Sequence, residues 1–164
     1  MHFSVRSIAI AAIAVLALGA CGSSSKSSSP STSSEPSTTT VSDAAATVKV
    51  ATTSLGKVLV DDKGLTLYRF DNDTTPGKSA CAAGVCEQTW PPEIVTGTPS
   101  AGAGIDASKL TTFTRDDGKP QLQIDGHPLY HFVQDAKAGD TKGQGILGKW
   151  YAAGPGGAKV GDRS

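Results

Sequence analysis

The chain has few of the side chains on which catalysis, cofactor binding or nucleic-acid binding usually depend. Of its 164 residues only 5% are aromatic, one is methionine, three are cysteine and three are histidine, and the charges sum to zero. Scarce aromatics beside 19 glycines argue against a helical bundle and for a small, loop-rich β domain. Acids and bases are scattered singly, which excludes the basic stripe of a nucleic-acid partner. The one methionine is Met1; once it is removed, no thioether is left as an axial ligand to haem or copper. Gly-x-Ser-x-Gly, phosphate-cradling glycine-loop and His-Glu-x-x-His signatures are all missing. No long amphipathic helix can be drawn after residue 50, so the sequence predicts no enzyme and no protein-held cofactor.

What is present begins with Arg6, an apolar run from Ile8 to Leu18, and then Gly19-Ala20-Cys21. The run is far too short to cross about 30 Å of hydrocarbon, and small residues precede the cysteine. This segment resembles a bacterial lipoprotein signal peptide. The resemblance implies that residues 1–20 are removed, that Cys21 carries lipid, and that the protein sits on the extracytoplasmic face of the cell envelope with the membrane as its first partner. An ordinary secretory signal is the alternative. Residues 21–46 are mostly Ser and Thr with Pro30 and Pro36, a composition that predicts a disordered tether. A flexible coil of about 25 residues holds its cargo roughly 25–30 Å from the anchor.

Residues 47–160 form one domain's worth of chain, followed by a short tail, 161–164. Cys81 and Cys86 are the cysteines left after Cys21. In an oxidising compartment a disulfide between them is the economical assignment, contributing on the order of 2 kcal/mol. Their spacing is neither a thioredoxin-like C-x-x-C nor a covalent haem motif.

The domain repeats itself. Gly64, Leu67, Tyr68, Phe70, Asp73 and Gly77 recur at one constant offset as Gly126, Leu129, Tyr130, Phe132, Asp135 and Gly139, and Trp90 is matched by Trp150 at nearly the same offset. The units run over about 56–92 and 112–155, joined by a Gly-, Ala-, Ser- and Thr-rich connection. Each opens with strand, Asp-Gly-type turn and strand, the pattern of a hairpin. Alternation places Tyr68 and Phe70 on one face, and Tyr130 and Phe132 on the equivalent one, as core or as a ligand-stacking platform. A hairpin cannot bury its aromatic face alone. The expected fold is therefore all-β: two hairpin repeats in one compact sandwich or barrel-like domain, related by a pseudo-twofold axis.

Tyr68-Arg69-Phe70-Asp71-Asn72-Asp73 and Tyr130-His131-Phe132-Val133-Gln134-Asp135, with Cys81, Cys86, Trp90-Pro91-Pro92 and Gly126-His127-Pro128, resemble the paired Tyr-x-aromatic-x-x-Asp motif of a family of bacterial secreted-repeat lipoproteins. That family has no assigned activity, so the resemblance implies a fold and no catalytic residues.

Asp73 and Asp135 are the acids repeated inside the motif. They are expected to accept backbone N–H groups in Asx-type turns, so that Asn would substitute at little cost; cation binding is the other reading. His127 and His131 invite a metal, but Pro128 and the strand pattern oppose a helix, and four residues of strand span about 13 Å. The function expected is an envelope-anchored, non-enzymatic module that binds an extracytoplasmic ligand or protein. The alternative is a redox or metal-handling accessory using His127 and His131.

Overall fold

The computed structural model describes residues 47–161; residues 1–46, which hold the expected signal segment, Cys21 and the expected tether, and residues 162–164 lie outside the described residues. The chain is built mainly of short strands. β1 (Lys49–Thr53) and β2 (Gly56–Val60) form an antiparallel hairpin in the register Lys49↔Val60 to Thr53↔Gly56. Its turn is closed by the Thr53 hydroxyl, which donates to the Gly56 carbonyl at 3.1 Å and accepts from the Leu55 N–H. β3 (Tyr68–Phe70) follows, then a six-residue helix, α1 (Gly84–Thr89). β4 (Leu110–Thr114), β5 (Pro120–Ile124) and β6 (His127–Pro128) make a three-stranded meander. β7 (Trp150–Ala152) closes the order. The strands fall into small sheets of two, two and three strands, linked by isolated bridges.

Local chemistry explains the turns. Asp61 Oδ1 accepts from the N–H groups of Lys63 and Leu65 at 3.0 and 2.7 Å, so the carboxylate sets the bend after β2. Between β5 and β6, Asp125 and Gly126 both adopt positive φ, +50° and +78°, the backbone of the two-residue turn that Asp-Gly favours. The hairpin expected around Asp125-Gly126 is present, but its second strand is His127–Pro128 rather than the expected Leu129–Val133. β1 was not anticipated, and neither was α1, which is too short to show a helical period. Helix α1 is held by the disulfide between Cys81 and Cys86 and by Trp90 N–H donating to the Cys86 carbonyl at 2.7 Å.

Strand alternation divides the interior in two. Leu59, Leu67, Leu122, Ile124 and Leu129 enter an aliphatic cluster with Val48, Val95, Leu110 and Ala153. Their neighbours Val58, Val60, Tyr68 and Tyr130 enter an aromatic one with Cys81, Trp90, Phe132, Trp150 and Ala152. Tyr68, Tyr130 and Phe132 are core, as the first of the two sequence readings has it, while Phe70 is half-buried and packs against them.

The repeats do not pack side by side. β7, which ends the second repeat, pairs with β3 of the first, Tyr68↔Ala152 and Phe70↔Trp150. Reciprocally, the segment after Trp90 in the first repeat lies against the second: Pro92 bridges Tyr130 and Ile94 bridges Gln121. The two motif tyrosines meet at the centre, each N–H donating to the other's carbonyl at 2.8 and 3.0 Å. A pair of triangles flanks them. Leu67 N–H donates to Leu59 O, Leu59 N–H to Ala153 O and Ala153 N–H to Leu67 O. Leu129, Leu122 and Glu93 repeat that circuit in the other copy. This is the pattern required of two copies related by a twofold axis through the Tyr68–Tyr130 bridge.

Candidate functional site

The motif residues converge on the seam between the repeats, and each finds its partner in the other copy. Tyr68 Oη donates to Asp135 Oδ2 at 2.6 Å, and Tyr130 Oη donates to Asp73 Oδ2 at 2.8 Å. The second carboxylate oxygen of each aspartate takes a backbone donor from its own loop: Asp73 Oδ1 accepts from Ala80 N–H at 2.7 Å, and Asp135 Oδ1 from Lys142 N–H at 2.9 Å. The expected backbone bonds are thus present, but they close a loop of seven residues rather than a tight Asx turn. The cross-copy tyrosine bond, which the sequence reading lacked, is added to them. All four groups are buried, and an unpaired carboxylate or hydroxyl there would be costly.

The electrostatics follow from that burial. Desolvation, reinforced by the hydrogen bond and charge of Asp135, pushes the Tyr68 hydroxyl far above the ordinary phenol range; burial and the Asp73 charge do the same to Tyr130. Burial also raises the Asp73 carboxyl, against the opposing pull of Ala80 N–H and Tyr130. These tyrosines are locked donors, unfit as proton shuttles near neutral pH.

Four rings stack between the locks. Phe70 lies on Trp150 at 4.1 Å, Trp150 on Trp90 at 3.8 Å and Trp90 on Phe132 at 4.5 Å between centroids. Tyr68 meets the edge of Trp90, and Tyr130 that of Trp150. Gly143 fits against this column because it has no side chain: a Cβ there would stand 2.8 Å from both Trp90 Cη2 and Tyr68 Cζ. In the first copy the corresponding place is taken by Cys81, half of the disulfide.

The histidines are not brought together around a common centre. His131 Nε2 is bonded to Glu93 Oε2. Burial opposes protonation of that ring, but the Glu93 hydrogen bond and charge, with Asp61, outweigh it and raise its pKa. His127 has Arg69, Asp125 and Asp71 as its charged neighbours, and burial, then Arg69, lowers its pKa. Among the described residues no three or more His, Cys, Asp or Glu side chains are placed to hold a metal ion.

Sequence reasoning missed Arg115. Its guanidinium is buried and reaches Gln121 Oε1 at 2.9 Å, the Ala82 carbonyl at 3.2 Å, Asp117 Oδ1 at 3.3 Å and the Glu87 carboxylate. It therefore ties the disulfide loop and α1 to β4 and β5. Nothing in Phe113-Thr114-Arg115-Asp116-Asp117 marks that arginine as internal; the pattern reads as a solvated turn.

A duplicated β module whose copies complete each other's polar and aromatic core is therefore the class to which this chain belongs. The profile of the Lipoprotein_15 family, described as a secreted repeat of unknown function, matches residues 49–93 and 111–154. The chain is a member of that family. The first matched copy starts at β1, earlier than the expected start at residue 56, because β1 pairs along the whole of β2. No curated protein and no solved structure matches the chain.

Proposed function

We propose that this protein is a lipid-anchored, extracytoplasmic binding module without enzymatic activity. The observation that carries this reading is that the shared motif is consumed internally. Tyr68, Tyr130, Asp73 and Asp135 satisfy one another, and Trp90 and Trp150 stack on one another. The motif therefore builds a scaffold, and recognition falls to the loops, as is usual for rigid β scaffolds. Membership in a secreted-repeat family and the run Leu18-Gly19-Ala20-Cys21 support an envelope location, with residues 1–20 as signal, Cys21 as lipid site and residues 21–46 as tether.

Two acyl chains at about 0.8 kcal/mol per buried CH₂ hold a protein on a bilayer where one chain does so only marginally. Cys21→Ser is expected to move the protein from the membrane to the soluble extracytoplasmic fraction. A variant that stays with membranes after salt washing would refute the anchor. Metal and absorbance analysis of protein purified from its native envelope tests the other half. A colourless, metal-free protein is expected, and stoichiometric metal or a visible band would replace the binding reading with the redox or metal-handling one.

A further inference from the structure

The two copies use one loop in opposite ways. In the second copy the chain turns after Asp135, and the Asp140 carboxylate folds back onto it. Its Oδ2 accepts from Ala136 N–H at 3.0 Å and Lys137 N–H at 3.3 Å, with Lys142 Nζ 3.1 Å away. At the constant offset the first copy has Thr74, Thr75 and Lys78 in the places of Ala136, Lys137 and Asp140.

The two loops share most of their backbone bonds, but Thr74 N–H turns to Asn72 O where Ala136 N–H meets Asp140. Asp73 N–H donates to Phe70 O as Asp135 N–H does to Phe132 O, and Lys78 N–H donates to Thr75 O as Asp140 N–H does to Lys137 O. Gly77 and Gly139 both take positive φ, +70° and +84°. The filling differs as well: where the second copy supplies its own anion, the first supplies a cation and leaves the Thr75 N–H over. The N–H of Thr75 and the hydroxyls of Thr74 and Thr75 make no hydrogen bond among the described residues, and Thr74 N–H is directed at Asn72 O at 2.9 Å. A cleft lined by Asn72, Asp73, Thr74, Thr75, Lys78 and Ser79 opens over them. Asp73 does not fill it, since both its oxygens are engaged with Ala80 and Tyr130. Among the described residues the Lys78 ammonium pairs with Asp116 alone, at 3.4 Å in a well-exposed pair, and such a pair holds it weakly.

We propose that the loop 74–78 is an oxyanion site that takes a phosphate group where the second copy places the Asp140 carboxylate. The Thr75 N–H left over in the turn can donate to an anion, and lysine binds phosphate as a point charge. Two hydroxyls beside one N–H and one ammonium offer more donors than the two oxygens of a carboxylate use, which favours the phosphate. The group can be free phosphate or belong to an anionic headgroup. The assignment deepens the binding-module reading by naming a ligand class and rests on it only in that respect, since the loop needs no anchor.

The experiment is a titration of the full chain in detergent with inorganic phosphate, followed by amide NMR. Saturable shifts are expected at Thr74, Thr75 and Lys78 and none at Ala136 and Lys137, whose donors are already occupied. Lys78→Asp places in the first loop the carboxylate the second one has, so it should weaken phosphate binding roughly tenfold or more and raise the Tm. Asp140→Lys should create phosphate-dependent shifts at Ala136 and Lys137. A second arm uses phosphatidylglycerol vesicles: binding lost in Lys78→Asp names the headgroup as source, and phosphate shifts without vesicle binding name the free ion. No saturable shift at Thr74 and Thr75, or equal phosphate affinity in Lys78→Asp, overturns the site. Either result leaves the fractionation of Cys21→Ser untouched, so the two readings fail separately.

Discussion

The indoles of Trp90 and Trp150 lie face to face, 3.8 Å apart and within 1° of parallel, one from each repeat. Each is then covered on its outer face by a phenylalanine of the opposite repeat, Phe132 on Trp90 and Phe70 on Trp150. Every contact in this column crosses from one copy to the other. Aromatic pairs contribute about 0.5–1.5 kcal/mol each beyond the area they bury, and here that contribution exists only when both repeats are folded.

The cross-copy locks change what an aspartate substitution should do. Both oxygens of Asp73 accept, one from Ala80 N–H and one from the Tyr130 hydroxyl, whereas an amide can accept at one oxygen only. Asp73→Asn is therefore expected to cost about 1–2 kcal/mol, not the near-neutral change that a simple turn would allow, and Asp73→Ala about 2–3 kcal/mol. Asp135→Asn should behave alike. Urea unfolding of the four variants checks this, and an Asn variant as stable as the parent would show that the tyrosine bond is dispensable.

Gly143→Ala tests the close approach of backbone to rings. Its Cβ would meet Trp90 and Tyr68 at 2.8 Å, and neither ring can withdraw without disturbing the Trp90–Trp150 stack. A loss of about 1–3 kcal/mol is expected. Gly84→Ala is not a fair control, since it has positive φ; Gly156→Ala, with open space around it, should change stability far less.

Replacing Cys81 and Cys86 together by Ala should cost on the order of 2 kcal/mol. The parent, unfolded without reductant, should show no free thiol from this pair. A titratable thiol at either position would contradict the bridge.

The His131–Glu93 pair predicts a pH dependence of definite sign. The folded-state pKa of His131 is raised, so its contribution is fully present below the ordinary value of about 6.5 and is lost as pH rises through the raised one. His127 runs the other way: its folded pKa is lowered, and its contribution is present above about 6.5 and is lost as pH falls through the lowered value. The stability difference between the parent and His131→Gln should thus be larger near about pH 5.5 than near about pH 8.5. Denaturation at both values measures it, and a difference independent of pH would mean that Glu93 does not favour the charged ring.

Much of the fold could be read from the duplication. Its constant offset identified Tyr68 with Tyr130 and Phe70 with Phe132, and their alternation turned all four toward the core, where Phe70 is only half-buried. It could not say which copy each residue would touch, because periodicity within a repeat carries no information about partners across the chain; Tyr68 and Asp135 lie 67 residues apart. β1, Lys49-Val50-Ala51-Thr52-Thr53, was illegible because its residues are only partly buried and none of the repeated motif residues lies in it or in its counterpart β4. Arg115 hid in a polar run, since its burial comes from elements far along the chain. The oxyanion loop was invisible for another reason: only two loops of similar backbone with unequal side chains reveal it, and a sequence shows the second half of that comparison alone.

The crossing of Trp90–Ile94 into the second repeat and of β7 into the first bears on how the molecule comes apart. A protease that nicks the connection near residue 97 would cut the covalent thread without freeing either fragment, because the strands on each side of the cut are already paired with the other piece. The nicked protein should migrate as one species until denatured. A fragment made alone should lack the β3–β7 pairing and the bridges Tyr68–Tyr130, Pro92–Tyr130 and Ile94–Gln121, and it should regain that structure only when the complementary fragment is added.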